Sequence, residues 1–461
     1  MNIKIPYRVG LALLLLAAPL WSQVDTTVPA PAVTGLTNGS EDRMLTPPPV
    51  SGQSYPVALA SEERSNYLRG GLAFSAAYAD NVLGATGTGT KPVSDVSYSV
   101  WPTLALDETT PRLHWTLTYA PGFTFYQRVS ARNEADQNAA IEFQYRLSPH
   151  VTLSMRDGFQ KTSSVFNQPD LAAAGAVSGG AEGANNSVIA PISDRLSNSG
   201  NVGISYQFSA NAMVGASGTF TNLHYSNSAQ VPGLFDSSSQ SGSAFYTHRV
   251  SKMHYIGASY QYQRLLSYPT QGQNETQTHA VLFFYTLYAT SRFSISTFGG
   301  PQHANIGPQF FAGASAPQPG SQTWTPAAGA SVNWQGQFTS VAASYSHVIA
   351  SGGGLIGAVH TDSASLSVRQ QLARALSASL SGGYAQNKVV GGLSQTTGAS
   401  TNGHSISGTA SLQRQFGEHL GVQLGYTRLH QTYNVLAISA TPDTNREFVS
   451  VSYQFSRPLG R

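Results

Sequence analysis

The sequence predicts an all-β fold: a closed, up-and-down antiparallel barrel of about 18 strands that crosses a membrane with those strands. Three observations predict it. From residue 69 onward, apolar residues alternate with small polar ones at period two. The connections between runs are short and long in turn. Charged residues make up only 10% of the chain, far below the roughly 25% usual in soluble domains.

The elements follow in order. Lys4 and Arg8 precede an apolar run from Val9 to Ala18, and small Ser22 follows it. Residues 1–22 read as a secretory signal peptide, since the run is too short for a comfortable helical span. There is no Cys, so neither a disulfide nor lipid attachment through sulfur is available. No other stretch reaches 18 apolar residues, which excludes spanning helices. Residues 23–68 are rich in Pro, Thr and Ser, with TPPPV at 46–50. That composition cannot bury a core and predicts a disordered linker. Residues 69–461 form the barrel.

Within it the alternation is explicit. Leu72, Phe74, Ala76 and Tyr78 share one face, against Gly71, Ala73, Ser75 and Ala77. Leu113, Trp115, Leu117 and Tyr119 oppose His114, Thr116 and Thr118. Ile141, Phe143 and Tyr145 oppose Glu142, Gln144 and Arg146. Strands are expected to start near residues 69, 94, 111, 137, 149, 199, 211, 241, 253, 277, 291, 322, 338, 361, 375, 403, 418 and 446. The longest connection lies around 163–193. A meander with one smooth rim and one rim of long connections explains the rhythm.

Which face meets lipid follows from two facts. The polar face is Ser, Thr, Gly, Gln and Asn, with few of the charges that protect a soluble sheet. Trp324 and Trp334 share parity on one strand, ten residues apart. At a tilt near 40° they would stand roughly 25 Å apart along the membrane normal, as an interface girdle does. A large secreted β-sandwich or propeller is the soluble alternative. A closed barrel has no edge, so every backbone group in hydrocarbon is paired.

On these residues the chain resembles bacterial outer-membrane β-barrels of the porin type, from residue 69 to about 457. The resemblance rests on architecture and on the last strand, where Tyr453 and Phe455 match the outward aromatic pattern of a C-terminal assembly signal. Ser456 to Arg461 extend beyond that pattern. The resemblance implies the outer membrane, both termini and the 23–68 linker in the periplasm, lipid and the barrel-assembly machinery as partners, and a homotrimer as a candidate assembly. It also implies that the third long connection, 164–191, folds inward, setting Asp170 and Glu182 against basic wall residues, while its Gly- and Ala-rich composition equally suits a flexible extracellular loop.

Candidate chemistry is sparse. GGGLIG at 352–357 matches a dinucleotide fingerprint but lies between strands with no helix to follow. The 12 His residues show no paired ligand spacing. A catalytic site, a metal, a cofactor and nucleic acid are therefore not expected, and a net charge of +3 agrees with the last. By parity Glu142, Arg146, Arg156 and Arg369 face the lumen, where charge is tolerated only with water or a partner. The reading is a channel for passive diffusion of small hydrophilic solutes. One alternative is a specific transporter or exporter of a saccharide or apolar solute, using inward Trp101, Tyr255, Phe284 and Tyr288. Another is a non-conducting adhesin or scaffold working through its long connections.

Overall fold

The computed structural model describes residues 65–83, 92–162, 194–226, 235–269, 272–310, 317, 319–352, 358–390, 402–435, 438–440 and 443–459. The strands are β1 (Ser65–Ala79), β2 (Asp95–Thr109), β3 (Leu113–Tyr126), β4 (Glu134–Arg146), β5 (Val151–Thr162) and β6 (Arg195–Ser209). There follow β7 (Ala212–Tyr225), β8 (Asp236–Arg249), β9 (His254–Tyr268), β10 (Asn274–Thr290), β11 (Phe293–Ile306) and β12 (Ser321–Gln335). The last are β13 (Thr339–Ser351), β14 (Ala358–Ala373), β15 (Leu376–Val389), β16 (Asn402–Phe416), β17 (Leu420–Val435), β18 (Ile438–Ala440) and β19 (Asp443–Pro458). The short β18 pairs only with β17, so 18 of the 19 strands make the wall.

Each wall strand pairs antiparallel with its neighbours in sequence, and β19 returns to β1. That last ladder runs from Tyr67↔Pro458 to Ala79↔Arg446 and closes the barrel. β1 thus begins four residues before the expected start, because Ser65 to Leu68 already have partners on β2.

One rim carries tight turns. Ser148 and Val151 exchange backbone hydrogen bonds at 3.3 Å between β4 and β5. Gly417 takes φ 65° between β16 and β17, a left-handed conformation that glycine adopts without a Cβ clash. The other rim carries the longer connections, including 163–194 and 390–401.

The two faces differ as the alternation requires. Large side chains such as Phe74, Leu104, Phe123, Ile204, Phe283, Leu380 and Leu424 stand outward and exposed. Their neighbours in sequence, such as Ala73, Ser75, Thr103, Ala105 and Thr124, turn inward. Trp324 and Trp334 both project outward, 71% and 43% exposed. An outward apolar row stabilises nothing in water but is the surface hydrocarbon wants. Asp157 is an exception: it stands outward on β5, with Asn198 donating from Nδ2 to its Oδ1 at 3.2 Å.

Candidate functional site: the lumen wall

The site is the inner face, and it divides into three sectors. From β13 to β17 it is small and hydroxylated. Ser344 and Ser365 pair at 2.7 Å, as do Ser346 with Ser363 and Ser379 with Ser411. Thr361 donates to Asn387 Oδ1 at 2.7 Å. These hydroxyls satisfy one another across strands, so the wall is polar without offering a strong site.

From β7 to β13 the wall is apolar. Met213, Phe245, Tyr255, Ala280, Leu282, Phe284 and Ala327 form one buried cluster, with Tyr288, Phe298 and Val348 packed on it. Tyr255 and Tyr288 meet edge to face, centroids 5.5 Å apart. The inward aromatics are therefore on the expected face, and packing occupies them. Phe284, Phe245 and Phe298 each lie across the glycine opposite, Gly257, Gly215 and Gly329. Trp101 does the same over Gly122 and is fully buried.

From β1 to β6 the wall is charged. Glu142 and Arg156 sit directly opposite, and Arg156 Nε donates to Glu142 Oε1 at 3.1 Å. Arg69 and Asp107 pair at 3.3 Å. Arg146 lies opposite Thr152 at the tight-turn rim. Asp95 accepts from the backbone N–H groups of Val96, Arg128 and Val129 at 2.8 to 3.0 Å. Among the described residues every inward acid of the wall lies on β2 or β4: Asp95, Asp107, Glu134, Asp136 and Glu142.

The expected lumen residues are thus brought together only in part. Glu142, Arg146 and Arg156 share two neighbouring strands. Arg369 is inward on β14, opposite Ser340 and Ser379 on its neighbours, and belongs to the far side of the ring. Asp170 and Glu182 lie outside the described residues. Two inward arginines escaped sequence reading. Arg195 on β6 and Arg446 on β19 are 9% and 6% exposed, and the Nε of each lacks a hydrogen-bond partner. Both stand near long connections, where parity is hardest to carry across a gap. Among the described residues no group of three or more His, Asp or Glu could hold a metal.

No protein-family model matches the chain, and no curated protein matches it. Solved structures do. OccAB4 of Acinetobacter baumannii is 9% identical, with 85% of this chain and 98% of that one covered and a TM-score of 0.42. The outer membrane protein OpdK of Pseudomonas aeruginosa is 9% identical, with 85% and 99% covered and a TM-score of 0.41. The FrpB iron transporter of Neisseria meningitidis is 7% identical, with 86% and 83% covered and a TM-score of 0.41. Independently of them, eighteen antiparallel strands closed on themselves, with large apolar side chains standing outward, make this chain an up-and-down all-β barrel whose outer face suits a membrane.

Proposed function

We propose that the barrel is a passive channel for small hydrophilic solutes. The observation that carries this reading is the inner wall. With strands about 4.8 Å apart and tilted near 40°, eighteen of them put the wall about 18 Å from the axis. Small hydroxylated residues from β13 to β17 and the charged sector from β1 to β6 then leave a wide bore that is polar along most of its wall. The hydroxyls already bond one another, so a solute meets a wet surface and no strong trap.

The inward aromatics favour this reading over a specific saccharide or apolar transporter. Their rings lie against the wall and are buried, which removes them as a sliding surface. In the proposed channel Glu142, Arg146, Arg156 and Arg369 set the local field, and Asp170 and Glu182 would add to it from their connection. Trp324 and Trp334 serve as interface girdle, and Tyr453 and Phe455 as the signal read during assembly. Both termini lie on the periplasmic side, where short turns are expected. A homotrimer fits the reading but is not required by it.

Planar-bilayer recording of the refolded chain tests it. Stable conductance steps with weak ion selectivity are expected. A folded, heat-modifiable barrel that passes no current overturns the channel reading and favours the adhesin or scaffold.

A further inference from the structure

The seam between β12 and β13 stops early. Its ladder runs from Gln335↔Ser340 to Ala328↔His347. Both strands continue past it: β12 stays paired with β11 as far as Ser321, and β13 with β14 as far as Ser351. Two residues beyond the last pair, Ile349 would stand opposite Pro326. Proline has no N–H to give the ladder. The Ile349 N–H donates instead to Oε1 of Gln302 at 3.4 Å. Gln302 is a buried, inward residue of β11, opposite Ala280 of the inner apolar cluster. Beyond His347, β13 has therefore moved to the inner side of β12, within reach of a strand that is not its neighbour.

The ends of β14 and β15 move with it. The three strands form a tip from Ile349 to Ser351, Ala358 to Thr361 and Asn387 to Val390. Ile349, Ala358 and Val390 belong to the row that faces outward lower on these strands, where Tyr345, Leu366 and Tyr384 are exposed. At the tip they form one apolar cluster with Leu265, Ala304 and Ile306, which are inward residues of β9 and β11. The change is abrupt: Lys388 is exposed, and Val390 in the same row is buried. The opposite row is covered as well, with Val359, Thr361 and Asn387 all buried. A wall strand leaves its outward row to the surroundings. A segment buried on both sides lies inside the barrel.

The tip takes up much of the bore. Sheets packed face to face lie about 10 Å apart, and eighteen strands set the wall about 18 Å from the axis. On the β9–β11 side the tip thus occupies about half of the radius. It does so near the rim of longer connections, where β9 ends and β10 begins. The narrowing comes from strands of the wall itself and does not depend on the connection 164–191.

We propose that this docked tip sets the size limit of the bore, with Ile306 and Gln302 as the residues that hold it in place; this rests on the channel reading above. The chain has no Cys, so a single introduced thiol reports docking. Ala358→Cys should react with a water-soluble maleimide on the order of tenfold more slowly than Ser365→Cys, an exposed position on the same strand. Two changes should release the tip. Ile306→Asp puts a charge into the cluster. The pair P326A/Q302A returns a donor to β12 and removes the acceptor on β11. In either background Ala358→Cys should label nearly as fast as Ser365→Cys. In liposome swelling, entry of raffinose relative to arabinose should rise about threefold, since the narrowest section limits the larger sugar most. Heat-modifiable gel mobility checks that each variant is folded. Fast labelling of Ala358→Cys without those changes overturns the docking. A thiol that stays slow in both backgrounds would mean that neither Ile306 nor Gln302 holds the tip, and overturns it too. Release of the thiol with an unchanged sugar ratio overturns the size limit and leaves the channel reading standing. Entry of neither sugar, through wild type or variants, overturns the channel reading and the size limit with it.

Discussion

Gly122 has no room for a side chain. A Cβ there would stand 2.5 Å from carbons of the Trp101 ring, and its three nearest atoms all belong to that ring. The indole lies flat against the wall because its neighbour is glycine, and cross-strand pairs of this kind fix register as well as packing. Gly122→Ala should therefore lift the ring into the bore and cost about 1–3 kcal/mol by overpacking. In a Trp101→Ala background the same change should be close to neutral. Urea midpoints of the four barrels, followed by tryptophan fluorescence or gel mobility, close this cycle. Equal losses in both backgrounds would show that the ring is not what fills the site. Parity put Trp101 on the inner face, but parity says nothing of what a ring touches. The partner was still legible, since the hairpin around 110–112 that pairs Thr109 with His114 must set residue 101 opposite 122. The same arithmetic through the turn at 147–150 pairs Glu142 with Arg156. Phe284 over Gly257 pairs across the 269–273 connection, where the expected start of β10 at 277 lies three residues past the observed Asn274, so a count from the sequence misses the pair.

Strand ends show where the sequence stops informing. At the tight-turn rim the expected starts 111, 149, 211, 253, 291, 338, 375 and 418 fall within two residues of those observed. At the other rim β8 begins at Asp236, five residues before the expected 241, and β6 at Arg195, four before 199. The reason is chemical: DSSSQS at 236–241 has loop composition, yet it pairs residue by residue with β9. Above the bilayer a strand no longer needs an apolar row, so its pattern fades before its hydrogen bonds do. The closing ladder of β1 with β19 joins residues that no local signal connects. Asp80 fastens its end, taking the backbone N–H of Asn445 at 2.8 Å and its Nδ2 at 2.7 Å, while the Tyr426 hydroxyl donates to Asn445 Oδ1 at 2.6 Å. At the opposite end Phe455 covers Gly70. Asp80→Ala should weaken this seam by about 1–3 kcal/mol, the loss for hydrogen bonds to a charged acceptor. The temperature at which the folded band disappears on a gel should drop. Ser344→Ala, inside an uninterrupted hairpin, should move it far less, and equal shifts would deny the seam any special weakness.

For the molecule as a whole, the distribution of inward charge matters more than its total. The inner acids gather on β2 and β4, whereas Arg369 faces them from β14, six strands from β2 and eight from β4 around the shorter path. Two of the acids are held by Arg69 and Arg156, so the acidic sector is largely neutralised where it is paired. One side of the bore then carries five acids matched by Arg69, Arg146, Arg156, Arg195 and Arg446, the other carries Arg369 away from any inward acid among the described residues, and opposite substitutions should move selectivity in opposite directions. Asp107→Asn with Glu142→Gln frees Arg69 and Arg156, and should shift the reversal potential toward anions. Arg369→Gln should shift it toward cations. Each change should alter the permeability ratio roughly twofold in 0.1 M salt, where the screening length is about 10 Å, and much less at 1 M, where it is about 3 Å. Shifts of the same sign would mean that both variants disturb the wall rather than its field. Shifts that persist at 1 M would place the charges in a constriction narrower than the bore described above, and the channel would then discriminate among solutes by contact as well as by field.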